Sequence, residues 1–235
     1  MNPTLLRYAC LFGLGLLRLV SVHACPTGEE RAALEGEIVR QWGRTRGDKA
    51  VRHVAFVHGE GNAPCLVLVS VNEKNDYCHA AGATTGLAEI ARDGSGPWRI
   101  GYIQRSVTEF GQFGRAPVGR RWPLDPGARI LAFELDSMHQ GIGSHNVMLV
   151  AKVGGAYKEV LLFSTHEDND GSGEEELWSF NSTAEIRVRS DGTLPDIVLR
   201  TSGTEKVHGK IRKVDETTEY VFQDGDYRSR QPVGR

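Results

Sequence analysis

Three polar, glycine-containing loops of the sequence carry side chains that could do chemistry. The first contains Asp76 and His79, and an enzyme could use His79 as a general base that Asp76 orients. The sequence has no G-x-S-x-G or H-E-x-x-H motif, and the Gly82–Gly86 segment lacks the lysine of a phosphate-binding loop. A polar loop held by a disulfide is therefore the default interpretation, and a hydrolase that uses Asp76 and His79 is the alternative.

The second loop, His166 to Glu174, has the spacing H-x-D-x-D-G-x-x-E and is the best candidate for a metal site. Calcium prefers several oxygen ligands from one tight turn, so Asp168, Asp170 and Glu174 are the candidate calcium ligands. The loop is not an EF-hand, because His166 holds the first ligand position and Leu177 the twelfth. A solvated acidic turn between two strands is the alternative. No other cofactor is predicted, and no two histidines have zinc-ligand spacing with a third ligand in view.

The third loop, Met138 to His145, places two histidines and a glutamine among glycines. We expect Gln140 and His145 to face a ligand, and protonation of histidine below neutral pH could tune such binding. A loop that is merely exposed is the alternative interpretation.

A fourth segment, Arg105 to Pro117, has the sequence R-S-V-T-E-F-G-Q-F-G-R-A-P and predicts a shaped, ordered loop. It holds too many glycines and charges for a core strand and too many aromatic residues for an ordinary linker. Arginine and aromatic residues dominate the binding energy of protein interfaces. We therefore expect Arg105, Glu109, Phe113 and Arg115 to contact a protein partner.

One amphipathic helix is predicted near the N-terminus, over about residues 27–43. Thr27 to Glu30 forms a capping box, which is typical of a helix start. Leu34, Ile38 and Trp42 follow at intervals of four residues and would form the buried face.

The rest of the chain predicts strands separated by glycine turns, of which Gly154-Gly155 is the clearest hairpin signal. Strands at this density without intervening helices predict a mainly β protein with antiparallel sheets, in a sandwich, a barrel or a small propeller-like fold. We expect a single domain over residues 25–228 and a frayed tail at 229–235. The predicted strands are 53–58, 65–71, 86–92, 98–104, 129–134, 147–153, 157–163, 184–189, 197–200 and 219–222.

Residues 1–24 predict a secretory signal peptide. They hold no acidic residue, and they have a basic start at Arg7, an apolar run and the cleavage pattern Val22-His23-Ala24. Because the apolar run is short and Arg18 interrupts it, no transmembrane span is predicted. The periplasm is the expected location, with a lipoprotein or a secreted protein as the alternatives.

Three cysteines remain after the signal peptide, Cys25, Cys65 and Cys78. In an oxidising compartment we expect Cys65 to pair with Cys78. Cys25 would then either carry the lipid anchor of a lipoprotein, or be left by ordinary cleavage and be free or paired elsewhere. His23 favours ordinary cleavage, because lipoprotein signals normally have a small or apolar residue at that position.

The charge balance of the exported chain is mildly acidic. Removing residues 1–24 takes Arg7 and Arg18 from the 28 basic residues, so 26 remain against 30 acidic residues, a net charge of −4. This balance argues against nucleic acid or an anionic membrane surface as the main partner.

The sequence contains the segments Thr84-Thr85-Gly86 with Ala88-Glu89, Thr108 to Gly111, Gly114 to Pro117, Gln140-Gly141 and Asp224 to Tyr227. Together these segments resemble a group of uncharacterised exported proteobacterial proteins. The resemblance implies export and a β-rich fold, and it brings no activity or catalytic residue. The C-terminal part, from Pro195 to Tyr227, also resembles a propeller-type repeat in which a Pro-Asp-apolar strand precedes an aromatic strand.

Three classes of function follow from these observations. The first is a non-catalytic exported protein that binds another protein in the bacterial envelope, such as a secreted toxin or hydrolase, as an inhibitor or immunity protein. The second is a periplasmic hydrolase that uses Asp76 and His79 or the loop of His145. The third is a structural envelope component without a discrete ligand.

Overall fold

The structure is a computed structural model that describes residues 25–43, 49–58, 64–73, 83–111, 117, 119–125 and 127–230. The predicted signal peptide and several predicted site residues lie outside these ranges. Those residues are Asp76, Cys78, His79, Phe113 and Arg115.

The predicted helix is confirmed as α1, Gly28–Gly43. Its buried residues are Leu34, Ile38 and Trp42, the three apolar residues spaced four apart in the sequence. Acidic residues in the first turn and Arg40 in the last turn complement the helix dipole.

The first sheet, sheet 1, is an antiparallel meander in which each strand pairs with the next along the chain. One face is covered by α1, whose apolar side packs with Cys65, Val67 and Val69 and with residues of the neighbouring strand. The strands are β1 (Lys49–Val57), β2 (Cys65–Glu73), β3 (Ala83–Ala91) and β4 (Arg99–Phe110).

The second sheet, sheet 2, is a longer meander that again follows chain order. Two-residue turns join several of its strands, and the predicted hairpin at Gly154-Gly155 is confirmed. The strands are β5 (Gly119–Arg121), β6 (Ile130–His139), β7 (Ile142–Val153), β8 (Ala156–Asp168), β9 (Ser179–Arg187), β10 (Asp196–Val207), β11 (Lys210–Gln223) and β12 (Asp226–Arg230).

The two sheets build three stacked β layers beneath the helix. The face of sheet 1 away from α1 packs its leucines against Leu131, Phe133 and Met148 of sheet 2. Strand β8 pairs with β9 only over residues 166–168, so β9 to β12 fold back over the other face of β6 to β8. The expected mainly β, antiparallel fold is confirmed, and the described strands of neither sheet close into a barrel.

Two sequence predictions change at this level. The segment after Gln104 was expected to be a loop, but β4 continues through Arg105 to Phe110 because it pairs with β3 along that length. The predicted frayed tail begins too early, since Ser229 and Arg230 pair with β11. Among the helices that the structure describes, none combines the length and apolar character needed to cross a bilayer.

The predicted Cys65–Cys78 disulfide is wrong. Cys65 pairs instead with Cys25, with the two Cα atoms 5.3 Å apart and both residues buried. Packing of α1 on sheet 1 brings Cys25, just before the helix, beside the first residue of β2, which sequence separation does not reveal. The bridge also uses the sulfur to which a lipid would be attached, so it argues against a lipid anchor at Cys25.

Candidate functional site

Two of the segments that carry the group resemblance lie on the paired strands β3 and β4. Thr84 lies opposite Glu109 and Thr85 opposite Thr108, whereas Leu87 lies opposite Gln104. Between these pairs β3 has one residue, Gly86, whereas β4 has three, Arg105 to Val107. The extra β4 residues form a β-bulge opposite Gly86. Bulges bend a strand and re-aim its side chains, and here the bulge begins at Arg105.

Gly86 makes the bulge possible. A Cβ atom on residue 86 would lie 2.6 Å from the backbone oxygen of Arg105 and 2.7 Å from that of Gln104. Side chains essentially never approach backbone this closely, so glycine is required where β4 arches over β3.

Arg105 and Glu109 lie on the α1 side of sheet 1. Thr108 is buried and donates from Oγ1 to Glu159 of β8, so it points toward sheet 2. Because successive strand residues point to opposite faces, Glu109 points the other way. Arg105 and Glu109 are both exposed, and neither side chain forms a hydrogen bond or ion pair with any residue in the described part of the chain.

A groove of about 220 Å³ separates Arg105 from the last two turns of α1. The helix lines it with Glu37, Arg40 and Gln41. Glu37 accepts hydrogen bonds from Arg40 Nη2 at 2.6 Å and from Gln41 Nε2 at 3.0 Å, which hold the three helix side chains together. Among the described residues, the groove lining thus contributes two guanidinium groups and one carboxylate, with a formal charge of about +1.

Polar contacts between the two sheets anchor the strand that carries Arg105. The side-chain amide of Gln104 donates to Tyr157 O at 2.6 Å and accepts from Tyr157 N at 2.8 Å. It thus forms the same pair of hydrogen bonds with Tyr157 that the backbone of an adjacent strand would form. Tyr157 OH donates to Glu89 at 2.8 Å, and Lys152 also donates to Glu89. Burial, followed by this hydrogen bond to Glu89, raises the pKa of Tyr157, so its phenol remains a donor at neutral pH.

The predicted ligand-facing residues of the third loop lie elsewhere, at the tip of the β6–β7 hairpin. Gln140 is exposed in the turn and has a φ of 51°. His145 lies opposite Asp136, and its Nδ1 is 2.5 Å from Asp136 Oδ1. A carboxylate in this position can orient an imidazole as a general base. Sequence reasoning missed Asp136, although the hairpin register around Gln140-Gly141 would have paired it with His145.

The candidate calcium ligands have protein partners. His166 Nε2 lies 2.8 Å from Asp168 Oδ2, and Lys206 donates to Glu174 at 2.6 Å. The pKa of Asp168 is lowered first by the backbone N–H of Asp170 and then by His166, and the Lys206 hydrogen bond lowers the pKa of Glu174. In the described part of the chain, no three His, Cys, Asp or Glu side chains are grouped as metal ligands, so the structure does not gather the predicted set.

The buried side chain of Asn169 organises this turn. Its Oδ1 accepts from Trp178 N at 2.7 Å, and its Nδ2 donates to the backbone oxygen of Glu176 at 3.0 Å. The turn also contacts the β6–β7 hairpin, since a Cβ on Gly141 would lie 2.3 Å from the oxygen of Gly171.

Comparisons with known proteins add no assignment: no family model, no curated protein and no solved structure matches the chain. The resemblance to a group of exported proteins stays a prediction.

Proposed function

We propose that this chain is an exported, non-catalytic protein that binds another protein in the bacterial envelope, as an inhibitor or immunity protein does. The observation that carries the proposal is Arg105, which sits on a glycine-dependent bulge and whose side chain has no hydrogen-bond or ion-pair partner among the described residues. The backbone under this arginine is already fixed, so binding would cost less conformational entropy than ordering a flexible loop. Arginine is also one of the residues that dominate interface energetics.

Glu109 extends the proposed surface along β4. It is exposed, lies on the same side of sheet 1 as Arg105 and carries the opposite charge. A surface that alternates in charge supports recognition of a specific protein partner, because each charge rejects partners that place a like charge opposite it.

The disulfide supports the proposed location. The Cys25–Cys65 bridge is buried beneath α1, and such bridges persist in oxidising compartments such as the periplasm. A periplasmic protein with a predicted signal peptide at residues 1–24 is consistent with this bridge.

A capture experiment tests the proposal. Protein expressed from the full-length sequence is purified under oxidising conditions, immobilised and exposed to extracts of the bacterial envelope and culture medium. Bound proteins are identified by mass spectrometry. We expect one protein to be recovered near one-to-one and to be lost with Arg105→Ala.

Arg99→Ala is the matched control, because Arg99 is an exposed arginine on the same strand and does not line the groove. The Arg99→Ala control should capture the same amount of partner as the unchanged protein does. Both variants should have the melting temperature of the unchanged protein. Equal loss of capture in the two variants, or no capture by any of the three proteins, would contradict the proposal. Arg115→Ala then tests whether the predicted contacts continue beyond β4.

A further inference from the structure

We propose that the groove between α1 and β4 binds one carboxylate of the protein partner, held between the guanidinium groups of Arg40 and Arg105. This inference rests on the proposed protein-binding function and names the chemistry that the partner must present. The occupant is therefore an acidic side chain or a chain terminus on an extended or loop segment that can reach the groove.

The charge of the groove favours a carboxylate over other anions. The charged groups that the structure describes in the groove are two guanidinium groups and the carboxylate of Glu37, with a formal charge of about +1 that one carboxylate neutralises. A phosphate group carries more negative charge and would leave an excess beside Glu37. Guanidinium groups also match the planar, two-oxygen geometry of a carboxylate with paired N–H donors.

Both arginines have donors available for this role. The guanidinium group of Arg105 has no hydrogen-bond partner among the described residues. Arg40 uses Nη2 for its bond to Glu37, and its side chain is 71% exposed, so other N–H donors of its guanidinium can reach a ligand. Glu37 positions Arg40 and Gln41 through these bonds, which reduces the reorganisation that binding requires.

The inference is tested with a small probe before any partner is known. The probe is the peptide acetyl-Gly-Glu-Gly-amide, and acetyl-Gly-Gln-Gly-amide is its uncharged match. Each is titrated at constant ionic strength into protein labelled with ¹⁵N-arginine, and the Nε–H signals are followed by NMR at mildly acidic pH. Signals are assigned with Arg40→Lys, Arg99→Lys and Arg105→Lys.

We expect the glutamate peptide to shift the Nε–H signals of Arg40 and Arg105 along one saturable curve, with Arg99 unchanged. The glutamine peptide should shift none of them. Arg40→Gln should weaken the response of Arg105 about tenfold, as expected for removal of one charge-assisted hydrogen-bonding group. Parallel, non-saturating shifts at Arg99 and Arg105, or no shift at all, would overturn the inference.

A titration with inorganic phosphate distinguishes the competing anion. Saturation by phosphate without saturation by the glutamate peptide would overturn the carboxylate assignment. The two proposals also fail separately. Capture that depends on Arg105 without a peptide response would support protein binding and contradict the carboxylate site. A peptide response without capture would support a carboxylate site and contradict protein binding.

Discussion

Gly86 and Arg105 are mutually dependent across β3 and β4, because the backbone of Arg105 occupies the space that a side chain on residue 86 would need. A Cβ atom at position 86 would lie 2.6 Å from the Arg105 oxygen. The glycine on one strand therefore determines how the arginine on the next strand is presented to solvent.

Gly86→Ala is expected to lower the free energy of unfolding by about 1–3 kcal/mol, the usual cost of forcing extra atoms into a packed site. Chemical denaturation of the oxidised protein measures this change. Gly101→Ala on β4 is the control, because the nearest atom to its added Cβ is 4.0 Å away. Equal free energies of unfolding in the two variants would show that the bulge accommodates the added methyl group without loss of stability.

The Gly86→Ala variant should also lose the peptide response of Arg105 if it remains folded. The bulge would have to shift to admit the methyl group, and Arg105 would move with it. An unchanged NMR titration in a destabilised Gly86→Ala protein would show that the bulge is not needed for Arg105 to bind the peptide.

The parts of the fold that depend on local sequence were predictable. The α1 helix follows from the four-residue spacing of Leu34, Ile38 and Trp42, and the β7–β8 turn follows from Gly154-Gly155. These signals are contained within a few consecutive residues, so they do not require knowledge of the tertiary structure.

The candidate site was only partly predictable because it is assembled from distant segments. Arg105 was expected to be a contact residue, but its bulge depends on the pairing register with Gly86, which lies on another strand. Arg40 belongs to the polar side of α1, and the sequence gives no sign that this side borders β4. The Cys25–Cys65 bridge was missed for the same reason, since helix packing brings its ends together.

The Cys25–Cys65 disulfide makes a separate prediction about stability. It joins residues with a sequence separation of 40. In the chain-entropy model, removing a disulfide that closes a loop of this size lowers the free energy of unfolding by about 4 kcal/mol. Cys25→Ser/Cys65→Ser should therefore lower the free energy of unfolding by a large margin, whereas Cys78→Ser should keep the bridge. Peptide mapping without reductant and denaturation curves check both statements. Recovery of a Cys65–Cys78 peptide would contradict the observed pairing.

His166 and Asp168 predict a pH dependence of stability. The hydrogen bond to Asp168 is the main cause that raises the pKa of His166 above its ordinary value near 6.5. A group whose pKa is higher in the folded state stabilises the fold fully below its unfolded pKa, and this contribution is lost as pH rises through the folded value. Asp168 has a lowered pKa, so its contribution is lost only as pH falls through acidic values.

The stability difference between the unchanged protein and His166→Gln should therefore be largest in mildly acidic solution and should shrink as pH rises above neutrality. Urea denaturation over roughly pH 5 to 8 measures it, the range in which histidine titrates. His58→Gln changes an exposed histidine after β1 and serves as the control. A His166→Gln difference that is constant over this range would contradict the prediction.

Asn169 is expected to be the structural centre of the acidic turn. Asn169 is only 1% exposed, and its side chain bonds to Trp178 N and Glu176 O. Asn169→Ala would therefore leave the buried Trp178 N–H without this partner. The expected loss is about 1–3 kcal/mol in the free energy of unfolding. Asp170→Ala, one residue along in an exposed position, should change stability far less. Denaturation curves compare the two variants, and hydrogen exchange at Trp178 N shows whether the turn has opened. A stable Asn169→Ala protein with Trp178 N still protected would mean that β8 and β9 hold the turn without this side chain.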